Sequence, residues 1–349
     1  DYQGGVTLLD ELMSEVEVAQ RELQDRMPYV YKPHSKPRVL KKAPNKAHWA
    51  RGLLDPDVPF QEVRLSQLQI GSRQDMARYL SDKFNWEPTQ FTKTGQPQLN
   101  DEVLRGLPWE ETQVLAGYFK SWKIIGYLNS EVDAKGKGGG WLHHVTDEGK
   151  LHAGFIPLRA VTGRPACAAP NLQQVPTDTR VRKLFGPRKG WVMVGVDADG
   201  QELRCLGHYL GRYDGGSYGR EVVEGDIHSR VQSVIGFYTR NGTKPVEYGL
   251  LYGAGDPKLG MLALKDAMSV GETIKGSLKA RGRRIRSDIM AGIPGYKLLV
   301  DAVKDKAKST GKLRGMDGRV LHVRSAHSAL NLVLQSAGII LMKKALSMM

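Results

Sequence analysis

The sequence has very few cysteines: Cys167 and Cys205 are the two thiols among 349 residues. Two thiols do not make a disulfide framework, so we expect ordinary reduced cysteines in a cytoplasmic protein. The sequence also shows no uninterrupted apolar run long enough to cross a bilayer and no secretory signal at Asp1. These absences argue against a membrane protein and against a small disulfide-rich secreted protein.

Acidic residues are also scarce. The chain has 37 Asp and Glu against 51 Lys and Arg, which gives a formal net charge of +14. Such a surplus favours a polyanionic partner, and nucleic acid fits better than a membrane surface because no strongly amphipathic basic helix stands out. A basic protein with no nucleic-acid partner remains the alternative.

The shortage of acids is most marked between Pro28 and Asp55, where none occurs. The same segment holds several prolines and seven basic residues: Lys32, Lys36, Arg38, Lys41, Lys42, Lys46 and Arg51. We expect an extended segment that either contacts DNA or an acidic partner, or serves as a basic linker.

A valine-rich run ends on an acid in the stretch from Trp191 to Arg204, W-V-M-V-G-V-D-A-D-G-Q-E-L-R. Alternating valines predict a strand, and a helix is predicted to follow Gly200. Asp197 would then close the strand, where its carboxylate could bind a hard cation such as Mg²⁺. The alternative is a helix-capping or turn aspartate.

A second stretch carries charges and aromatic rings at helical spacing. Arg240, Lys244, Tyr248 and Tyr252 recur every four residues in R-N-G-T-K-P-V-E-Y-G-L-L-Y-G, so they would share one helical face. Two cations followed by two rings match a nucleoside triphosphate laid along the helix. A solvated basic face with two core tyrosines is the alternative.

Taken together, D-x-x-x-x-E-L-R and R-x-x-x-K-x-x-x-Y-G-x-x-Y-G resemble motifs A and B of the DNA polymerase I family (family A). The flanks look closest to T7-like bacteriophage replicative polymerases. Further matching pieces occur in family order: T-G-R (162–164), P-N-L-Q-Q-V-P (170–176), G-D-I-H (225–228), Y-G-A-G-D (252–256), D-G-R-V-L-H-V-R-S (317–325) and L-Q-S-A-G (334–338).

The resemblance implies an α+β, right-hand polymerase fold with a helical thumb, an antiparallel-sheet palm and helical fingers. The implied domains are a thumb over 1–140 with a basic insertion at 28–63, a palm over 141–214, fingers over 215–316 and a second palm segment over 317–349. A Gly-rich joint, Lys135 to Gly140, would end the thumb. In T7-like relatives the insertion captures host thioredoxin, so a thioredoxin-like processivity factor is an implied partner.

The resemblance also assigns roles to single residues. Asp197 would ligate two Mg²⁺ ions, while Arg240, Lys244 and His228 would neutralise the triphosphate. Tyr248 would pack on the nucleotide sugar, Glu202 would bond Tyr248 and exclude a ribose 2′-hydroxyl, and Tyr252 would guard the template position. The residues implied to contact primer–template DNA are Arg164, His327, Asn331 and Gln335, of which the last three would share one helical face.

The implied reaction is transfer of dNTPs to a primer 3′-hydroxyl, in the host-cell cytoplasm if the source is a phage. Two features depart from the family. The His-Asp-Glu of motif C does not occur in the sequence, so we expect either further sequence or a second chain carrying motif C and the exonuclease, with Asp199 as a minor substitute ligand. Pro245 lies inside motif B, so the helix is expected to begin near Thr243. A non-catalytic primer–template-binding subunit and a single-subunit RNA polymerase are the alternative functions.

Overall fold

The computed structural model describes residues 1–34, 36–39, 59–88, 91–92, 94–131, 139–274 and 276–348. The chain forms two compact units. Unit 1 comprises Asp1–Gly154 and Ala169–Val192, and unit 2 comprises Phe155–Ala168 and Met193–Met349. The thumb, palm and fingers boundaries inferred from the sequence stay predictions.

Unit 1 is built on the packing of two long helices. In the first, Asp1 caps the N-terminus by accepting a hydrogen bond from the Gly4 amide, 2.8 Å away. Its buried side chains recur every three or four residues, from Leu8 through Leu12 to Leu23, as a helix with one core-facing stripe requires. The helices of unit 1 are α1 (Tyr2–Gln24), α2 (Arg73–Phe84), α3 (Asp101–Arg105), α4 (Glu110–Asn129) and α5 (Thr179–Arg182), with a 3₁₀ turn at Trp141–His144.

The sequence favours these helices locally, because apolar residues recur at helical spacing in 6–26 and in the segments after Ser72 and after Trp109. Asn100 caps the short helix α3: its side-chain oxygen accepts from the Val103 amide at 2.9 Å. Apolar periodicity and capping residues thus agree in unit 1.

The basic insertion forms two short antiparallel ribbons in the part that the structure describes. Tyr31 pairs with Leu65 in the first ribbon and Arg38 with Phe60 in the second. The expectation for Lys41, Lys42, Lys46 and Arg51 lies outside the described residues, as does most of the predicted joint at 135–140. The strands are β1 (Tyr29–Pro33), β2 (Arg38–Val39), β3 (Pro59–Phe60) and β4 (Val63–Gln67).

Unit 2 is mainly helical, with two small ribbons. The larger of its hydrophobic clusters in the described residues includes Leu206, Leu210, Tyr218, Val246 and Leu334. The strands are β5 (Gly154–Ile156, entering from unit 1), β6 (Ala166–Ala168), β7 (Lys312–Arg314) and β8 (Val320–His322); β5 pairs with β6, and β7 with β8. The helices are α6 (Gln201–Asp214), α7 (Ser217–Glu224), α8 (Ile227–Ile235), α9 (Arg240–Leu251), α10 (Asp256–Met268), α11 (Leu278–Gly292), α12 (Tyr296–Thr310) and α13 (Ala329–Met348), with a 3₁₀ turn at Ala326–Ser328.

The last helix qualifies the expectation that no segment could cross a membrane. Ala326–Met348 is long and apolar enough to do so by length and composition. Its buried residues, among them Leu330, Val333 and Leu334, belong to the hydrophobic clusters of unit 2. Core helices of soluble proteins share this composition, so hydropathy gives only weak evidence for a membrane span.

The predicted strand at Trp191–Val196 is wrong. The segment is irregular, and its side chains are exposed, Val192 by 82% and Val194 by 79%. A strand exists only where a neighbouring strand takes up its backbone amides and carbonyls. Within the described ranges no strand pairs with residues 191–196. Alternating valines therefore favour a strand, but the segment does not form one in this structure.

Candidate functional site

Helix α9 begins at Arg240 and carries Arg240, Lys244 and Tyr248 of the predicted ridge, while the fourth member, Tyr252, is its C-cap residue. The expectation that Pro245 would delay the helix to Thr243 is therefore wrong. The Thr239 hydroxyl accepts from the Gly242 amide at 3.0 Å. Buried Asp266 accepts from the amides of Tyr238 and Thr239 at 2.7 and 3.1 Å. These bonds fix the first turn, so a proline in the second turn does not displace the helix start.

The two sides of α9 differ in chemistry. Its buried residues are Thr243, Val246, Glu247, Leu250 and Leu251. Arg240 and Lys244 lie on the exposed side, one turn apart, as the spacing predicted. The rings of Tyr248 and Tyr252 stack with their centroids 6.5 Å apart. The helix therefore offers a cationic first half followed by an aromatic pair.

Arg240 is held by an acid at the start of the neighbouring helix. Its Nε and Nη2 atoms donate to the two carboxylate oxygens of Asp226 at 2.6 and 2.9 Å. Asp226 also caps α8 by accepting from Ser229. Chiefly because of Arg240, the pKa of Asp226 lies well below its usual range. The exposed Asp226 carboxylate thus fixes the orientation of the Arg240 guanidinium.

Glu202 lies in the first turn of α6 and accepts two hydrogen bonds. Arg164 donates from Nη2 at 3.1 Å and the Tyr252 hydroxyl donates at 3.2 Å. The expectation that Tyr248 bonds Glu202 is wrong, because the hydroxyl that donates to that carboxylate belongs to Tyr252. Tyr248 is still close: burial, and then the Glu202 carboxylate, raise the pKa of its phenol.

Two polar residues from the C-terminal part of the chain, Gln335 and His327, lie near Tyr252 and Gly253 at the end of α9. Although burial and Glu202 raise the pKa of the Tyr252 hydroxyl overall, Gln335 lies close enough to lower it. His327 Nε2 lies 2.7 Å from the Gly253 carbonyl oxygen and must donate, because a carbonyl only accepts. His327 sits in the 3₁₀ turn before α13, whereas Asn331 and Gln335 lie in α13 itself. The predicted single helical face of His327, Asn331 and Gln335 is therefore wrong at its first member.

His228, in the first turn of α8, forms a hydrogen bond with Glu247, a residue that was not among the predicted site residues. Its Nδ1 makes a short hydrogen bond with Oε2 of Glu247, which is only 6% exposed. Burial, then Lys244 and Arg240, lower the pKa of His228, so the ring lies near the cationic half of α9. A glutamate on the apolar face of a predicted helix was the signal that could have revealed this pair.

Asp197 and Asp199 both lie on the exposed irregular segment before α6. The Asp199 carboxylate acts electrostatically on His228 and on Tyr248, which places it near α9. Among the described residues, no group of three or more His, Cys, Asp and Glu side chains could hold a metal ion. Two exposed carboxylates suit a cation that completes its shell with water and substrate phosphates, as Mg²⁺ does, rather than a closed protein cage.

All eleven predicted site residues fall in unit 2. Direct bonds connect them in separate groups: Arg164, Glu202 and Tyr252; Arg240 and Asp226; His228 and Glu247. Asp197, Lys244 and Asn331 make no hydrogen bond or ion pair to another of the predicted residues in the described part of the chain.

The fold is that of a polymerase domain. The structure superposes on the POL domain of Pol1 from M. smegmatis, described in complex with DNA primer-template and dNTP, with a TM-score of 0.63 and 19% sequence identity over 97% of this chain and 53% of that one. The α+β polymerase fold expected from the sequence is confirmed.

The chain belongs to DNA polymerase family A, whose model matches residues 58–349. It is 33% identical to the DNA-directed DNA polymerase of Enterobacteria phage T3 and 32% identical to that of Escherichia phage T7, each over 82% of this chain. A thermostable DNA polymerase I of Thermus thermophilus is 29% identical over 54% of this chain. The chain spans 42% of the length of the two phage relatives.

Proposed function

We propose that the chain carries the nucleotide-transfer site of a template-directed DNA polymerase, which joins dNTPs to a primer 3′-hydroxyl and releases pyrophosphate. The observation that supports this most is α9 itself. In a family A chain it presents Arg240 and Lys244 on one exposed stripe that ends in stacked Tyr248 and Tyr252, beside the Glu202 carboxylate.

The cationic half of α9 binds the triphosphate. Lys244 supplies a point charge, and Arg240 supplies a planar fork that matches phosphate oxygens. Arg240 leaves or shares its present partner, Asp226, when the nucleotide arrives. Because both members of that pair are exposed to solvent, a polyphosphate competes effectively with the single carboxylate. His228 adds a third donor from α8.

The aromatic half of α9 binds the sugar and the new base pair. Tyr248 packs on the deoxyribose, and Tyr252 guards the templating position. Glu202, held by Arg164 and by the Tyr252 hydroxyl, occupies the space that a ribose 2′-hydroxyl would need. This arrangement supports a DNA polymerase over an RNA polymerase. As the resemblance implies, Tyr248→Phe should sharply reduce incorporation of dideoxynucleotides.

Asp197 and Asp199 are the residues that would hold Mg²⁺, with two ions expected from the family. The ions, when bound, stabilise the charge that develops on the attacking and leaving oxygens. Asp197 and Asp199 would contribute exposed carboxylates as ligands of these ions. Their exposure leaves room for the water and phosphate ligands that Mg²⁺ prefers.

The DNA-facing residues are Arg164, His327, Asn331 and Gln335. Arg164 has five N–H donors, so it can keep its bond to Glu202 and still reach a minor-groove acceptor. We also propose two partners: a thioredoxin-like processivity factor on the basic insertion, and a second chain with motif C and exonuclease. The proposed setting is phage replication within the host cytoplasm.

Template dependence tests the proposal. We expect Mg–dNTP to bind the chain on a recessed primer–template only when it complements the templating base, and a matched rNTP to bind more weakly. Equal binding of all four dNTPs on one template would contradict the proposal. Because the sequence holds no His-Asp-Glu, we also expect the 349-residue chain to extend the primer poorly, and robust extension would contradict that part.

A further inference from the structure

Glu247 is a buried acid on a helix face that otherwise packs into the core. Its neighbours along that face are Val246, Leu250 and Leu251, all of which are buried. Placing a carboxyl group among aliphatic side chains is unfavourable unless it is paired or protonated. An apolar residue would stabilise α9 better at this position. Packing therefore does not account for an acid at this position.

The partner of this carboxyl group is a single ring nitrogen. Oε2 of Glu247 bonds Nδ1 of His228, while Oε1 is buried and has no hydrogen-bond partner in the described structure. The same side chain lines a small cavity of about 20 Å³ together with Tyr218 and Tyr296. That space is large enough for one water molecule. Among the described residues Nε2 of His228 has no hydrogen-bond partner, so this ring nitrogen is available to a ligand.

The position of the protons decides what Nε2 can do. When the pair holds its shared proton, that proton lies between Oε2 and Nδ1, and Nε2 carries a hydrogen whichever of the two atoms owns the shared one. When the pair loses a proton, the remaining hydrogen stays on Nδ1, because the carboxylate accepts it. Nε2 then has a lone pair, which phosphate oxygens repel. The pair thus acts as a switch between a donor and an acceptor.

We propose that Glu247 is a positioning residue, which engages Nδ1 of His228 so that Nε2 donates a hydrogen bond to the triphosphate of the incoming nucleotide. This inference rests on the proposed function. It assigns to the acid a role through the imidazole, since the carboxyl group itself is buried away from any ligand on the exposed side of α9.

The electrostatic environment keeps the pair protonated near neutral pH. Burial, and then Asp226, raise the pKa of Glu247 to about 8. Burial, Lys244 and Arg240 lower the pKa of His228. Both directions disfavour a separated ion pair, so one shared proton is retained below about pH 8. The titratable and charged groups that act on the pair are Asp199, Tyr218, Asp226, Arg240, Lys244, Tyr248 and Tyr296.

Glu247→Gln tests this role, since it keeps the size of the side chain and removes the acid. Glu221→Gln is the matched control, because Glu221 pairs with Arg230 of the same helix α8 but not with His228. At pH 7 we expect Mg–dNTP affinity to change little in Glu247→Gln, because the glutamine amide can replace the carboxylic O–H as the donor to Nδ1 and so leaves the hydrogen on Nε2. Above about pH 8 the parent chain and the control should bind about tenfold more weakly than Glu247→Gln, the scale of one hydrogen bond to a charged group.

The pH profile separates positioning from a loss of stability. In the parent chain, affinity should be retained below about pH 8 and should fall above it. In Glu247→Gln this fall should be absent, because no carboxylate forms that would draw the ring hydrogen onto Nδ1. The control variant corrects for titration of the nucleotide itself. A profile that is the same in all three proteins would overturn the proposal.

Nitrogen-15 spectra of the histidine rings give a readout that needs no nucleotide. His228 is assigned by the signals lost in His228→Gln, and we expect a protonated Nε2 in the parent chain at pH 7. An unprotonated Nε2 at pH 7, or spectra above about pH 8 that Glu247→Gln leaves unchanged, would overturn the positioning role alone. A parent chain with the expected spectra that binds no dNTP would instead overturn the proposed function.

Discussion

Helices α1 and α9 are both amphipathic, but they follow different rules. In α1 the N-cap, the buried leucines and the solvated charges all favour the same helix, and no buried residue is charged. In α9 a proline interrupts the second turn and a carboxyl group lies on the buried face. The buried and capping residues of α1 stabilise the fold, whereas α9 contains residues that lower the free energy of unfolding.

The difference indicates where function lies. Local propensity, hydrophobic pattern and electrostatics agree in most elements of a folded chain, and departures concentrate at functional sites. Within unit 2, α9 combines two such departures with the cationic stripe. Mutations should therefore separate the two helices, since changes in α1 should alter stability and changes in α9 should alter ligand binding.

The largest effect is expected from Leu12→Ala in α1. Leu12 has no exposed surface, so truncation leaves a cavity and should lower the free energy of unfolding by about 2–5 kcal/mol. Met13→Ala, at an exposed neighbour, is the control and should change it by less than about 0.5 kcal/mol. Urea unfolding measures both. A mild effect of Leu12→Ala would mean that α1 is not a purely structural element.

Lys244→Ala should have the complementary effect. The side chain is exposed, so stability should hardly change, whereas Mg–dNTP affinity should fall about 10- to 100-fold with the loss of a charge-assisted contact. Lys308→Ala, at an exposed lysine of α12, should leave affinity unchanged. Calorimetric titration of the two variants compares them directly. Equal losses would show that general positive charge, not the ridge on α9, binds the nucleotide.

Pro245→Ala should raise stability without strengthening nucleotide binding. Alanine restores the amide that proline lacks, and the gain is partly offset because proline also restricts the unfolded chain, so we expect about 1–2 kcal/mol. Thermal and urea unfolding measure the gain. If dNTP affinity fell at the same time, the proline would have a part in shaping the ridge.

Tyr252→Phe should have the smallest effect. It removes one of the two hydrogen bonds to Glu202 while Arg164 keeps the other, so stability should fall by about 0.5–1 kcal/mol. Tyr238→Phe, at another exposed tyrosine, is the control. Selection of dNTP over rNTP should weaken only in Tyr252→Phe. Unchanged selection would count against a role for the Tyr252 bond in holding Glu202.

The sequence predicted the helices and the ridge because both depend on spacing along one chain. It did not predict the irregular form of Trp191–Val196, since a strand also depends on its neighbour. It placed the helix start wrongly at Pro245, because the bonds from Asp266 come from 27 and 28 residues away. The same reason explains the missed pairing of Glu247 with His228 and the choice of Tyr252 over Tyr248 as the donor to Glu202: side chains from separate helices meet only in the folded chain.

Unit 2 is assembled from two stretches of sequence, Phe155–Ala168 and Met193–Met349. Dissection of the gene at one point therefore does not isolate the proposed nucleotide site. A fragment that starts at Met193 would lose Arg164, leaving the Tyr252 hydroxyl as the remaining described side-chain donor to Glu202. A minimal version of the site needs both stretches joined by a designed connection in place of residues 169–192, and such a fusion would be a compact reagent for spectroscopy of the His228–Glu247 pair.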